Sequence, residues 1–423
     1  MRYSATGWAL PAREDESRHY CGDVSDTAQY LIVGGAAAVV TFVTTPVVGK
    51  IATRLGWVVA PDARRVHTVT TPDVGGIAMF IGFAFALGLS RLMDGFDPLF
   101  ARNSELRGVL VAAAIIFLVG LLDDVREISA PAKVAGTVLA ALVLVWEGVT
   151  MYYFRLPLID VYYPSNDFVP LLTVLWLLVM SQAINLIDGL DGLAAGIVAI
   201  GAGAFFLYSR VLEANDVLAV PNIGPLICII TVGICLGFLP HNFNPAKIFM
   251  GDGGALLLGL LMACATTVVG GRSSPEKEFF GQSYFFYAPL LIPVIILGVP
   301  IFDMAFAIVR RTTRRQGFAT ADKGHLHHRL MNLGHGQRRS VLILWLWTAL
   351  LSGLVLYPVY TTSGVSLAVF GVLALGLALY TVLHPEVRRN RHRTDEPAPA
   401  DGATGTETPD TERAGQWIEK IDT

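Results

Sequence analysis

The stretch IGPLICIITVGICLGFLPHNFNPAKIFMGDGGALLLGLLMACATTVVG, Ile223–Gly270, decides the fold. Two apolar runs, Ile223–Leu239 and Ala255–Val269, flank a polar centre holding His241, Lys247 and Asp252. The runs are unbroken rather than amphipathic. A bilayer core of ~30 Å takes roughly 20 apolar residues as helix, and in hydrocarbon a helix satisfies its own backbone polar groups. The pattern therefore reads as two membrane spans joined by a loop that carries chemistry.

Outward from there the pattern repeats. Further apolar runs lie at Leu31–Val48, Gly75–Ser90, Val109–Leu122, Val134–Trp146, Val169–Ala183, Leu193–Tyr208, Phe285–Ile301, Val341–Tyr360 and Gly364–Leu383. With the first two they make eleven. Those starting at Val109 and Val134 are short of a crossing and need their flanks. The fold class is an all-α polytopic membrane protein with about eleven transmembrane helices. Composition agrees: of 423 residues, 53% are hydrophobic and only 15% charged, with a mean hydropathy of +0.56. The net charge of -3 says little about partners, because location outweighs sum in a membrane protein, and nothing points to nucleic acid. Cys21, Cys228, Cys235 and Cys264 show no metal spacing.

Residues 1–29 lack an apolar core and read as an extension before the first span, not a cleavable signal. Residues 30–384 form the transmembrane catalytic domain. Residues 385–423 turn abruptly from Arg388, Arg389, Arg391 and Arg393 to Pro, Thr, Gly and acids, the composition of a disordered tail. Basic residues concentrate after the first span (Arg54, Arg64, Arg65), after the ninth (from Arg311 to Arg339) and in the tail. The positive-inside rule then puts the N-terminus outside and the C-terminus in the cytoplasm. A multi-pass protein of the inner (plasma) membrane is expected.

Five polar segments interrupt the apolar pattern. GLLDDVREISAPAK sets Asp123 and Asp124 at a helix end with Lys133 close behind; the pair is either a solvated boundary or a site for cations and anions. NLIDGLDGLAAG carries Asn185, Asp188 and Asp191, hard oxygen donors suited to Mg²⁺. In HNFNPAKIFMGDGG, Asp252 stands among glycines before a helix, as an N-cap or beside a nest of N–H groups for a phosphate. Lys247 and Phe249 lie beside it. ADKGHLHHRLMNLGHGQRR holds His325, His327, His328, Arg329 and His335: zinc, a solvated basic loop and anion binding are its three readings, and the basic surroundings favour anions. Arg64 and His67 belong to the loop after the first span. With eleven spans all five segments fall on one face, the cytoplasmic one. Acids, glycines, a lysine, histidines and arginines gathered beside apolar spans describe a site for Mg²⁺, phosphates and a lipid.

At these segments the chain resembles the polyprenyl-phosphate N-acetylhexosamine-1-phosphate transferase superfamily (glycosyltransferase family 4), above all the bacterial UDP-GlcNAc:polyprenyl-phosphate GlcNAc-1-phosphate transferases. The resemblance covers roughly residues 56–333. It rests on RRVHTVTTPDVGGIAMF (Arg64–Phe80), GLLDD, NLIDGLDGLAAG, NPAKIFMGDGG, PIFD (Pro300–Asp303) and ADKGHLHHRL. It implies that Asp252 and Asn185 hold Mg²⁺, with Mn²⁺ as a substitute. It further implies that Asp123 and Asp124 are an essential pair, and that Asp188 and Asp191 lie near nucleotide and metal. Phe249 would sit near the uracil, Lys133 would contact phosphate, and the His325–Arg329 segment would meet the sugar and pyrophosphate. The form HLHHR looks like the GlcNAc-1-phosphate branch, whereas adjacent histidines mark the pentapeptide-transferring branch. One departure is Ala255, where the family usually has a serine near the second glycine. The substrates implied are a UDP-N-acetylhexosamine and undecaprenyl or decaprenyl phosphate, and the resemblance extends to a homodimer. A phospho-MurNAc-pentapeptide transferase and a cation-coupled transporter are the rival readings. A transporter calls for acids near the bilayer midplane rather than at helix ends.

Overall fold

A computed structural model describes residues 24–59, 70–101, 104–151, 154–156, 160–162, 164–272, 294–295, 297–313, 330–331, 335–360 and 366–383. The extension up to residue 23, the tail from residue 384, Arg64, His67 and the whole His325–Arg329 segment lie outside these.

The helices are α1 (Val24–Leu55), α2 (Gly76–Ser90), α3 (Asp97–Ala101), α4 (Glu105–Arg126), α5 (Ala130–Trp146), α6 (Phe168–Ile187), α7 (Leu193–Ala214), α8 (Gly224–Asn242), α9 (Gly251–Gly270), α10 (Gly298–Thr313), α11 (Gln337–Tyr360) and α12 (Ser366–Leu383). Two short antiparallel ribbons complete the described chain. In the first, β1 (Val58–Val59) pairs with β2 (Thr71–Pro72) in the register Val58↔Pro72; in the second, β3 (Phe154–Leu156) pairs with β4 (Asp160–Tyr162).

Among the described residues seven helices are long and apolar enough to cross a membrane, or eight if α2 and the segment Asp94–Ala101, bent by 92°, make one span. Ten of the eleven apolar runs fall on described helices. The exception is Phe285–Ile301, of which residues 285–293 are outside the description; helix α10 starts near its end, at Gly298. Of the three runs separating eleven from eight, one is this largely undescribed run and the other two are short. Helix α5 has 17 residues, about 25 Å at ~1.5 Å per residue, and the apolar part of α12 is Ala368–Thr381.

Helix α9 is the axis. Every residue of its apolar stretch is buried inside the protein, against α2, α4, α6, α7 and α8. Glycines set these contacts. A Cβ on Gly120 of α4 would lie 2.5 Å from the backbone of Gly253, and one on Gly76 of α2 would strike Gly254. Such backbone-to-backbone approach is the means by which membrane helices gain packing energy without a hydrophobic driving force between them. Helices α4 and α6 run antiparallel to α9: Gly120 meets Gly253 while Arg272 bonds Glu105 at 2.6 Å, and Trp176 Nε1 donates to Thr266 Oγ1 at 2.9 Å. Hydroxyls inside the spans turn back to the preceding turn, as Thr45 does to Thr41 O (2.6 Å) and Thr231 to Ile227 O (2.7 Å). On α1 an apolar stripe including Leu31, Val39, Phe42, Val43 and Val47 faces outward, as a lipid-facing surface must.

Candidate active site

The antiparallel packing brings the C-terminal ends of α4 and α6 and the N-terminal end of α9 to the same end of the bundle. Asp123 and Asp124 close α4, Asp188 caps α6, Asp191 lies in the α6–α7 turn, and Asp252 is in the first turn of α9. The opposite end carries a different set, the buried Arg272–Glu105 pair and the exposed Arg107–Glu147 pair.

Lys133, in the first turn of α5, stands at the centre of the acids. Its Nζ is 2.5 Å from Asp123 Oδ2 and 2.5 Å from Asp252 Oδ2. Asp123 Oδ1 also accepts the N–H of Ile128 at 2.8 Å, which tightens the turn between α4 and α5. Asp124 accepts two backbone N–H groups of α9, from Asp252 at 2.6 Å and from Gly253 at 3.0 Å. Of the two readings of this glycine-flanked turn, an N-cap at Asp252 or a nest for a phosphate, neither matches: the N–H groups of Asp252 and Gly253 are taken by Asp124. Gly251, at φ +69°, makes this possible: a Cβ there would lie 2.5 Å from Asp124 Oδ2.

Asp191 has a structural engagement too. Its Oδ2 accepts Asn244 Nδ2 at 2.8 Å and Ala246 N at 3.1 Å. Asn244 in turn donates to Gln337 Oε1 at 2.8 Å and accepts from Arg338 Nε, tying the start of α11 to the site. Buried Asn242 receives the N–H of Gly192 and donates to Ile248 O, both at 3.0 Å. The backbone of Phe249 is laced to β2 and α2, its N–H donating to Pro72 O (2.8 Å) and its carbonyl accepting from Gly75 (2.9 Å). Lys247 is exposed. Asn185 lies one turn beyond Ser181, the residue of α6 that a Cβ on Gly259 of α9 would strike, and on the same face. Because the two helices are antiparallel, that turn carries it toward Asp252.

Asp188 is pushed well above the usual carboxylate range, first by burial and then by the charges of Asp73, Asp252 and Asp191. Asp73, in the TPDVGG segment, had no role assigned from sequence. Nothing in its local spacing marks it; its place beside the acids comes from the pairing of residues 72–76 with Phe249 and Met250. Asn242, Asn244 and Arg338 were missed for the same reason, each being defined by a partner distant in sequence.

Crowded acids of this kind fit a hard divalent cation, which relieves their repulsion. No group of three His, Cys, Asp or Glu side chains among the described residues is placed to hold a metal ion. Mg²⁺ is usually held by one or two carboxylates with waters and substrate phosphates, so Asn185 and Asp252 suit it without a full protein cage. A cavity of about 250 Å³ lies at the other end of the bundle, lined by Tyr30, Phe96, Leu99, Arg210, Glu213 and Asn222. It contains none of the clustered acids.

The model of Glycosyl transferase family 4 matches residues 106–270, which carry Asp123 through Asp252. A decaprenyl-phosphate N-acetylglucosaminephosphotransferase of Mycolicibacterium smegmatis is 38% identical over 402 residues, 94% of this chain and 95% of the relative. The chain belongs to glycosyl transferase family 4. A second such family member, from Mycobacterium tuberculosis, is 40% identical over 326 residues, 76% of this chain and 80% of its own. A phospho-N-acetylmuramoyl-pentapeptide-transferase of Desulforudis audaxviator is 30% identical over 342 residues, 74% of this chain and 93% of its own. The family match spans Asp123, Asp124, Lys133, Asp188, Asp191 and Asp252, the residues that meet at the acid end.

Proposed function

We propose that the acid end of the bundle transfers N-acetylglucosamine-1-phosphate from UDP-GlcNAc to a polyprenyl phosphate, releasing UMP. The observation that carries this reading is the meeting of Asp123, Asp124, Asp188, Asp252 and Lys133 at one end of an apolar helix bundle, in a chain that aligns along nearly its whole length with a relative named for this reaction. That relative's acceptor makes decaprenyl phosphate the first lipid to test. The product would start a cell-envelope glycopolymer.

An oxygen of the lipid phosphate attacks the phosphorus that bears the sugar. The new P–O bond forms as the bond to the oxygen bridging the two phosphates breaks, and UMP leaves with the electron pair. Positioning and charge neutralisation are the protein's task. Mg²⁺ bound by Asn185 and Asp252 would neutralise the diphosphate. Lys133, whose side chain keeps 25% exposure between two carboxylates, presents a cation to an incoming phosphate oxygen. Asp123 orients the lipid phosphate through that lysine. Lys247 and Phe249 flank the nucleotide, and Arg64, His67, His325, His327, His328 and Arg329 complete the sugar and pyrophosphate contacts. The eleven-span topology with the acid end in the cytoplasm, and a homodimer, belong to the same proposal.

Membranes containing the protein, incubated with radiolabelled UDP-GlcNAc, decaprenyl phosphate and Mg²⁺, should yield a butanol-extractable lipid-linked GlcNAc and free UMP. A product formed from UDP-MurNAc-pentapeptide and not from UDP-GlcNAc overturns the substrate assignment. Labelling of cysteines placed in the Asp123–Lys133 loop, accessible from the cytoplasmic side alone, checks the orientation.

A further inference from the structure

We infer that Asp124 is a positioning residue that caps α9 from another helix, and that it does not act on the reacting phosphates. The first N–H groups of a helix have no partner within it. Met250, at the N-cap position of α9, offers no side-chain bond to them. Asp124 supplies both acceptors instead, at 2.6 Å to Asp252 N and 3.0 Å to Gly253 N, across 128 and 129 residues of chain. A carboxylate at a helix N-terminus also meets the favourable end of the helix dipole.

The surrounding residues are shaped around this contact. Gly251 must be glycine for its φ of +69° and because a Cβ would lie 2.5 Å from Asp124 Oδ2 and 2.6 Å from Asp73 O. A Cβ on Gly253 would come within 3.3 Å of the same oxygen. Gly120, one turn before Asp124 on α4, lets the two helices approach. Asp252 is thereby held twice, its backbone by Asp124 and its carboxylate by Lys133 at 2.5 Å. Both oxygens of Asp124 are committed to α9, whereas Asp123 faces the lysine. Taking a proton from the lipid phosphate would remove the charge that strengthens both of these bonds and so loosen the helix that carries Asp252. A further consequence is that the N-terminus of α9 is already neutralised, so substrate phosphates meet side chains rather than this nest.

The assignment rests on the transferase reading only in naming the reacting atoms. Amide hydrogen exchange on the full chain in nanodiscs tests the cap without any activity. Asp124→Asn keeps one acceptor oxygen but turns an NH₂ toward the other N–H, so exchange in the first turn of α9 should quicken, while Asp123→Asn leaves it unchanged. Loss of such an outer support typically costs about 10–100-fold in metal affinity or activity. Half-saturating Mg²⁺ for lipid-linked GlcNAc formation should therefore rise by about tenfold or more in Asp124→Asn, with kcat recovered at saturating Mg²⁺. If Asp124→Asn fails to fold, Gly253→Ala crowds the same oxygen and should shift exchange and Mg²⁺ dependence in the same direction. Unchanged exchange in the first turn of α9 overturns the assignment, as does a kcat loss that no Mg²⁺ concentration restores. A wild-type protein that makes no lipid-linked GlcNAc would instead refute the transferase reading, and the exchange result would still decide the cap.

Discussion

Gly120→Ala should separate α4 from α9 and disable the site without touching any charged group. The added Cβ would stand 2.5 Å from both Gly253 Cα and N and 2.6 Å from Asp252 C. Nonbonded carbon contacts need ~3.5 Å, so the helices must part by about 1 Å. The bonds from Asp124 to α9, at 2.6 and 3.0 Å, would then stretch beyond the ~3.2 Å limit of a good N–H···O bond. Overpacking of this kind costs ~1–3 kcal/mol, offset by ~0.5–1 kcal/mol of gained helix propensity. The expected net loss is about 0–2.5 kcal/mol of stability. A 1 Å displacement of a catalytic group costs about 100-fold in rate, so activity should fall much further than stability. The measurements are the thermal midpoint of purified protein and the initial rate of lipid-linked GlcNAc formation. Gly88→Ala is the control, since a Cβ there meets nothing within 4 Å. Wild-type midpoint and rate in Gly120→Ala, or equal losses in Gly88→Ala, would refute the reasoning.

Lys133→Met should leave Asp123 and Asp252 repelling each other; with the pair only partly buried, the loss is about 1–3 kcal/mol, and added Mg²⁺ should restore part of the thermal midpoint. Asp188, its carboxyl held well above the ordinary range, keeps a proton that the unfolded chain releases above ~4. Its contribution to stability is therefore full below that value and is lost as pH rises through the folded pKa, so without divalent cations Asp188→Asn should melt above wild type in alkaline buffer and together with it near about pH 4. At the other end of the bundle, Arg272→Met strands buried Glu105 and should cost ~3–5 kcal/mol; adding Glu105→Gln should recover most of the midpoint, with the rate per folded molecule unchanged throughout.

The segments that carry the site were legible because polar residues in long apolar runs stand out, and because a run's length and the acids at its ends are local properties. Asp123, Asp124, Asp188, Asp191 and Asp252 could all be named from the chain alone. Their division of labour could not. Asp124 and Asp191 read like any acids at a helix end or turn, yet one caps α9 and the other staples Asn244 and Ala246. Asp73 sits in a segment that carried the family resemblance, and no role was read for the acid itself.

Hydropathy by itself determined that the chain is a bundle of membrane helices with its polar segments at the helix ends, since burial in hydrocarbon forces helical backbone wherever apolar runs are long enough. Only the tertiary structure decided which helix is the axis. The packing of α9 against five others depends on glycines at Gly76, Gly120, Gly253 and Gly254 meeting across helices, and a glycine's partner is not written in its neighbours. The same holds for the Lys133 bridge and the Asp124 cap: each joins residues more than a hundred positions apart, where only the packed backbone fixes distance and direction.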